Sequence, residues 1–137
     1  MRLTLHTDYA IRVLVYLARN PERRVSVHEI SDSHGISHNH LVKVVNRLSN
    51  NGVVIARRGR SGGLQLPCLP HEIVIGDIVR LMETDMEAVV SCRPENGQHC
   101  LLADICRLRH LLAQSMNAFL KVLDETTLND ILPDHRL

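Results

Sequence analysis

Two short amphipathic segments hinged on one glycine limit what this chain can fold into. The first opens on Ser26-Val-His-Glu29. That is a capping box, in which the serine side chain accepts from a first-turn N–H and the glutamate reaches back to the cap. It predicts a helix over 27–34 with Ile30 inward, stopped by Gly35 in the left-handed conformation. Ser37 then caps a second helix over 38–49, with Leu41, Val42, Val44, Val45 and Leu48 as its apolar face and Asn50-Asn51-Gly52 at its end. Two short helices joined at Gly35-Ile36 read as a helix-turn-helix over about 27–50, whose second member is the recognition helix.

A wing follows at once, over about 53–66. Strand-like runs at 53–57 and 64–66 flank Arg58-Gly-Arg-Ser-Gly-Gly63, whose glycines permit the turn. Arginines on such a hairpin lie beside the phosphates of a duplex and give sequence-independent, salt-sensitive affinity. The charge distribution agrees. Residues 1–66 hold ten Lys/Arg against four acids, a net of +6, whereas residues 67–137 hold six against eleven, a net of −5. A basic half joined to an acidic half suits a front end facing a polyanion.

The remainder is mostly helical by pattern. Ala10, Ile11, Val13, Leu14, Leu17 and Ala18 fall at helical spacing over 7–19, with Thr7 as N-cap and Asp8 in the first turn, where a carboxylate suits the helix dipole. Asn20-Pro21 ends that helix. Residues 73–82 read as a short extended piece running into a helix, with Ile75, Ile78, Val79 and Met82 inward. A long helix over about 102–124 carries Ile105, Leu108, Leu111, Leu112, Ser115, Phe119, Val122 and Leu123 as a broad stripe. A small winged module has little core for such a stripe to cover, so pairing with a second copy is expected, and a twofold dimer matches palindromic DNA. Thr127-Leu-Asn-Asp130 caps a last short helix. The expected fold is mainly α with a small β-hairpin: one winged helix-turn-helix regulator over 1–137 plus a long dimerisation helix. No apolar run approaches the roughly 18–20 residues needed to span a bilayer, and the first residues lack the pattern of a signal peptide. A cytoplasmic protein is expected.

Three cysteines, Cys92, Cys100 and Cys106, fall within fifteen residues, separated by gaps of seven and five. The loop over 91–106 that holds them also contains Pro94, Asn96 and Gly97. Three neighbouring thiolates invite a soft metal or an iron–sulfur cluster. The gaps are wider than the paired knuckles of structural zinc sites. Zinc with His99 or His110 as fourth ligand, and free or redox-active thiols, stay open as alternatives. Cys68, alone in Leu-Pro-Cys-Leu-Pro, is read as a buried or incidental thiol. Neither paired catalytic carboxylates, a Ser-His-Asp set nor a phosphate loop is present, so no enzyme is expected.

In order, the blocks are LHTDYAIRVLVYLA, the capping-box helix, NHLVKVVNRLSNNG, ARRGRSGGLQL, IGDIVRLME and C-x7-C-x5-C. Together they resemble the winged-helix iron–sulfur regulators that include NsrR, IscR and RirA, over nearly the whole chain. HTDYAIR, ISHNHLVKVVNRLS, ARRGRSGG and LDETTLNDIL resemble the nitric-oxide-sensing NsrR branch most. The resemblance implies a homodimeric transcriptional repressor that binds a palindromic operator on double-stranded DNA, without enzymatic activity. It implies a 4Fe–4S cluster on Cys92, Cys100 and Cys106, with Asp8 of the partner subunit as fourth ligand and nitric oxide as the signal that releases DNA. A 2Fe–2S cluster is the alternative. The IscR-like pattern has a histidine three residues after the last cysteine, where this chain has Arg109 with His110 one step on, and a first gap of five rather than seven. Carried across residue by residue, the DNA contacts are His38, Asn39, His40 and Lys43 on the recognition helix, and Arg58, Gly59 and Arg60 on the wing. Iron or cluster status as the signal is the neighbouring reading, and a small iron–sulfur electron carrier the remote one.

Overall fold

The computed structural model of the protein describes residues 3–84, 86 and 106–133. Helix α1 spans Leu5–Ala18 and buries Ala10, Val13, Leu14 and Leu17, the spacing of one helical face. Its N-cap is Thr4, not Thr7 as the sequence pattern predicted. Thr7 lies inside the first turn, only 1% exposed, and its hydroxyl donates to Glu83 Oε1. The same carboxylate oxygen accepts from Thr4 N at 2.8 Å and Thr4 Oγ1 at 3.0 Å. A side chain 79 residues along the chain thus satisfies the backbone N–H of the N-cap residue and both threonine hydroxyls of the first turn.

Helix α2, Val27–His34, and helix α3, His38–Asn50, follow the sequence pattern closely. Ser26 caps α2 by accepting from Glu29 N, and Gly35 closes it at φ 62°. The reciprocal half of the expected capping box is missing, because the Glu29 side chain is engaged elsewhere. Its carboxylate takes two bonds from the Arg23 guanidinium and one from Tyr16 OH at 3.0 Å, tying the end of α1, the 20–23 turn and α2 together. Ser37 sits at the α3 N-cap without a side-chain cap bond.

Strands β1, Ile55–Arg57, and β2, Gly63–Gln65, pair antiparallel with Ala56 opposite Leu64. Val25 bridges the free edge of β2 through two backbone bonds with Leu64. After a 3-10 turn at Pro70–Glu72, helix α4 covers Ile75–Met82 with Ile75, Ile78, Val79 and Met82 buried. Helix α5 covers Arg107–Asp124.

The core forms where α1 packs on α3 and α4, with Val25, Val54, Leu64 and Leu128 filling its margins. Leu128 enters from the segment beyond α5, which returns to the module: Thr127 bridges Val74, Ile75 N donates to Thr126 O, and Leu128 N donates to Ile73 O. Asp130 accepts from Thr127 N and Oγ1 ahead of the closing 3-10 turn, Asn129–Ile131. No residue of α5 is buried; Leu108, Leu111 and Val122 are 54%, 58% and 64% exposed. The C-terminal end of α5 is fastened to α4 by a bidentate pair from Arg80 to Asp124, at 2.5 and 2.7 Å. Gly76 leaves room for it, since a Cβ there would stand 2.0 Å from Asp124 Oδ1.

Candidate nucleic-acid interface and metal ligands

The turn between α2 and α3 is locked from within. Ser31, 6% exposed, donates its hydroxyl to Ile36 O at 2.7 Å, and Ile36 N donates to Ser31 O at 3.0 Å. With Gly35 left-handed between them, these two bonds fix the angle at which α3 leaves α2. Leu41, Val44, Val45 and Leu48 are buried beneath α3, so the opposite side faces outward. His38, Asn39, His40 and Lys43 are all exposed there. Asn46 and Asn50 continue the row of Asn39 and Lys43 at helical spacing. Sequence reading passed over them, although the period that assigned the buried face also assigns this one. His28, at the start of α2, meets His38 edge to face with ring centroids 5.6 Å apart, so it borders the same surface. Only the fold reveals that neighbour.

On the wing, Arg57, Arg58, Gly59 and Arg60 are exposed. Gly59 has φ 105° and its carbonyl accepts from Gly62 N at 2.9 Å, the tight turn that the glycines were expected to permit. Asparagine and histidine on the helix offer hydrogen bonds to base edges, whereas arginine and lysine suit phosphates. Arg47 faces elsewhere, donating to Met82 O at the end of α4.

The four expected metal ligands divide. Cys92 and Cys100 lie outside the described residues. Cys106 is the N-cap of α5, in extended backbone just ahead of the helix rather than on it, and its thiol is free of disulfide and capping bonds. Asp8 is exposed on the first turn of α1, paired with Arg12 at 2.9 Å. An exposed pair four residues apart is worth only about 0.3–0.5 kcal/mol, so the carboxylate exchanges partners at little cost. Among the described residues no three His, Cys, Asp or Glu side chains gather as a metal site. Cys68 is exposed, which removes the buried reading of that thiol. Partial burial, with Glu72 nearby, raises its pKa and keeps it protonated.

His34 is a half-buried titratable group at the end of α2, with its Nε2 shielded from solvent. Its Nε2 has no hydrogen-bond partner among the described residues, and its ring meets Tyr16 edge to face. Burial, with the Arg12 charge adding to it, lowers its pKa, overriding both Asp8 and the favourable dipole at the end of α2.

A locked helix-turn-helix presenting a polar helix face, with a basic hairpin directly behind it, defines a winged-helix DNA-binding regulator. A family model described as Rrf2, iron-dependent transcriptional regulator, matches residues 3–134. The chain is 44% identical over 133 residues to the HTH-type transcriptional regulator NsrR of Bacillus licheniformis, covering 96% of this chain and 92% of that protein. It is 41% identical over 133 residues to NsrR of Bacillus subtilis, covering 96% and 90%. Among solved structures it resembles CymR, the global cysteine regulator of B. subtilis, with TM-score 0.75, 28% identity and 96% of each chain covered. The protein belongs to the Rrf2 family of transcriptional regulators, and it is not an enzyme. No helix among the described residues is long and apolar enough to cross a membrane.

Proposed function

We propose that the chain is a cytoplasmic, homodimeric repressor that holds a palindromic operator while a 4Fe–4S cluster is in place and releases it when nitric oxide attacks the cluster. The observation that carries this reading is the state of two donors on different elements, α1 and the start of α5. Asp8 is exposed on α1 and paired with Arg12, and Cys106, at the head of α5, makes no disulfide or capping bond among the described residues. Together with Cys92 and Cys100 they make three soft sulfurs and one oxygen, a donor set that fits the four corners of a cubane. The cluster supplies iron at which nitric oxide reacts. Likeness to two proteins named NsrR supports the same reading.

Asp8 would serve the partner subunit's cluster, leaving Arg12 to do so. Because α1 packs directly on α3, tension on Asp8 reaches the recognition helix through Ala10, Val13 and Leu14 and the residues beneath α3. Two such links in a dimer set the separation of the two α3 helices, and half-site spacing is a geometric requirement for a palindrome. His38, Asn39, His40 and Lys43 then read or flank the bases, and Arg58, Gly59 and Arg60 follow the backbone. A second copy covering the exposed face of α5 completes the dimer.

The test is an anaerobic absorption spectrum and an operator titration, each with and without nitric oxide. Loss of the cluster absorption together with loss of tight binding is expected; equal binding by metal-free and cluster-loaded dimers overturns the reading. Asp8→Ala should leave melting unchanged but alter the cluster spectrum and shorten the cluster's lifetime, and an unchanged spectrum and lifetime remove Asp8 from the ligand set. The family description, iron-dependent transcriptional regulator, favours iron status as a second reading of the signal. Footprints under iron starvation and under nitric oxide separate the two.

A further inference from the structure

The two wing strands are three residues each, and β1 is exposed along its whole length. A ribbon this short is at best marginally stable by itself. Something outside it must fix the pose of Arg58 and Arg60. The structure offers one continuous stretch, Arg24-Val25, ahead of α2. Val25 pairs with Leu64 through Val25 N to Leu64 O at 3.0 Å and Leu64 N to Val25 O at 2.7 Å. One residue earlier, the Arg24 guanidinium reaches the wing turn itself, with Nη1 donating to Ser61 O at 2.8 Å.

The packing around this contact is close. Gly63 has φ 139°, and a Cβ placed on it would stand 3.0 Å from both Arg24 Cβ and Val25 O. Gly62 turns against the wing's own backbone, where a Cβ would stand 2.4 Å from Arg57 O. Gly63 therefore lets the ribbon lie close against the Arg24 stem, while Gly62 lets the wing turn close on itself. Beside the bond opens a notch of about 460 Å³ bordered by Glu22, Arg23 and Gln65, so solvent reaches the guanidinium. Arg24 differs in this from Arg57, Arg58 and Arg60, which are exposed; it is half-buried and bonded to the wing's main chain.

We propose that Arg24 is a positioning residue for DNA binding: it latches the wing turn through Ser61 and so sets where Arg58 and Arg60 meet the duplex. The proposal rests on the reading of Arg58 and Arg60 as phosphate contacts. A latch and a separate phosphate contact make different predictions. A latch acts through the wing arginines, so its removal matters only while they are present; a separate contact adds its loss to theirs.

The experiment is a double-mutant cycle on the cluster-loaded protein with a mixed-sequence DNA duplex as probe. Arg24→Gln should weaken binding by roughly threefold or more in the native chain and by far less when Arg58→Ala and Arg60→Ala are already present. Hydrogen exchange on the free protein gives an independent readout. Arg24→Gln should speed exchange at the Gly62 and Leu64 amides and leave those of Ile36 and Leu41 unchanged. Additive losses, or unaltered wing exchange, overturn the proposal. If Arg58→Ala and Arg60→Ala leave binding intact, the wing reading fails and takes the proposal with it, while the exchange data still report whether the latch exists.

Discussion

The Glu83 carboxylate, at the end of α4, takes three bonds from the start of α1, one of them from a hydroxyl that has almost no access to water. Burial would raise its pKa, but the bonds from Thr7 and Thr4 outweigh burial and lower it below the ordinary value of 4.5. A depressed carboxylate stabilises the fold above its unfolded pKa and loses that contribution as pH falls through the folded one. Melting temperature should therefore drop on acidification below about pH 4.5, and Glu83→Gln should flatten that part of the profile while lowering the melting temperature at neutral pH. His34 titrates in a different window. Its pKa is lowered from 6.5, so the unfolded chain takes up the proton first. Stability should begin to fall as pH drops below 6.5 and level off below the folded value. His34→Phe keeps a ring against Tyr16 and should abolish that step in a melting series; a step that persists assigns it elsewhere.

At the scale of elements, local rules placed α2, Gly35, α3 and α4 within a residue or so, because their signals are short-range: a cap, a left-handed glycine, a 3.6-residue period. Long-range partners were not legible. Thr7 has the chemistry of an N-cap, but its hydroxyl is claimed by a carboxylate 76 residues away. Glu29 completes a capping-box pattern on paper, yet Arg23 and Tyr16 hold it more strongly than an exposed amide does. Thr127-Leu-Asn-Asp130 suggested a cap at Thr127, but the N-cap of the closing turn is Leu128, without a side-chain cap bond, and nothing in four residues tells that Leu128 is wholly enclosed by other elements. Of the site, the exposed face of α3 and the wing were legible from periodicity and glycine spacing; Arg24 and His28 were not, because only folding brings them beside Ser61 and His38. Leu128→Ala should cost about 2–5 kcal/mol in chemical denaturation, as for other enclosed leucines. A loss under 1 kcal/mol would mean that the returning segment is not integral to the core.

At the scale of the whole molecule, the described part is a finished reading head with a long helix on which Leu108, Leu111 and Val122 stay exposed. Shielding a leucine from water stabilises by roughly 1.5–3 kcal/mol, so a face bearing Leu108, Leu111 and Val122 is suited to a second copy. Leu111→Asp should yield a monomer in sedimentation velocity while melting as a folded chain, because position 111 is 58% exposed. A dimer that survives the change places the interface off α5.

The anchoring of α5 at one end has a mechanical consequence. Asp124, Thr126 and Leu128 moor its tail beside α4, whereas Cys106 rides at the opposite tip, about 26 Å away along an eighteen-residue rod. Such a rod behaves as a tiller: a tilt of some ten degrees at the mooring swings the tip by roughly 5 Å. The thiol is thus carried where small rotations of the head become large excursions.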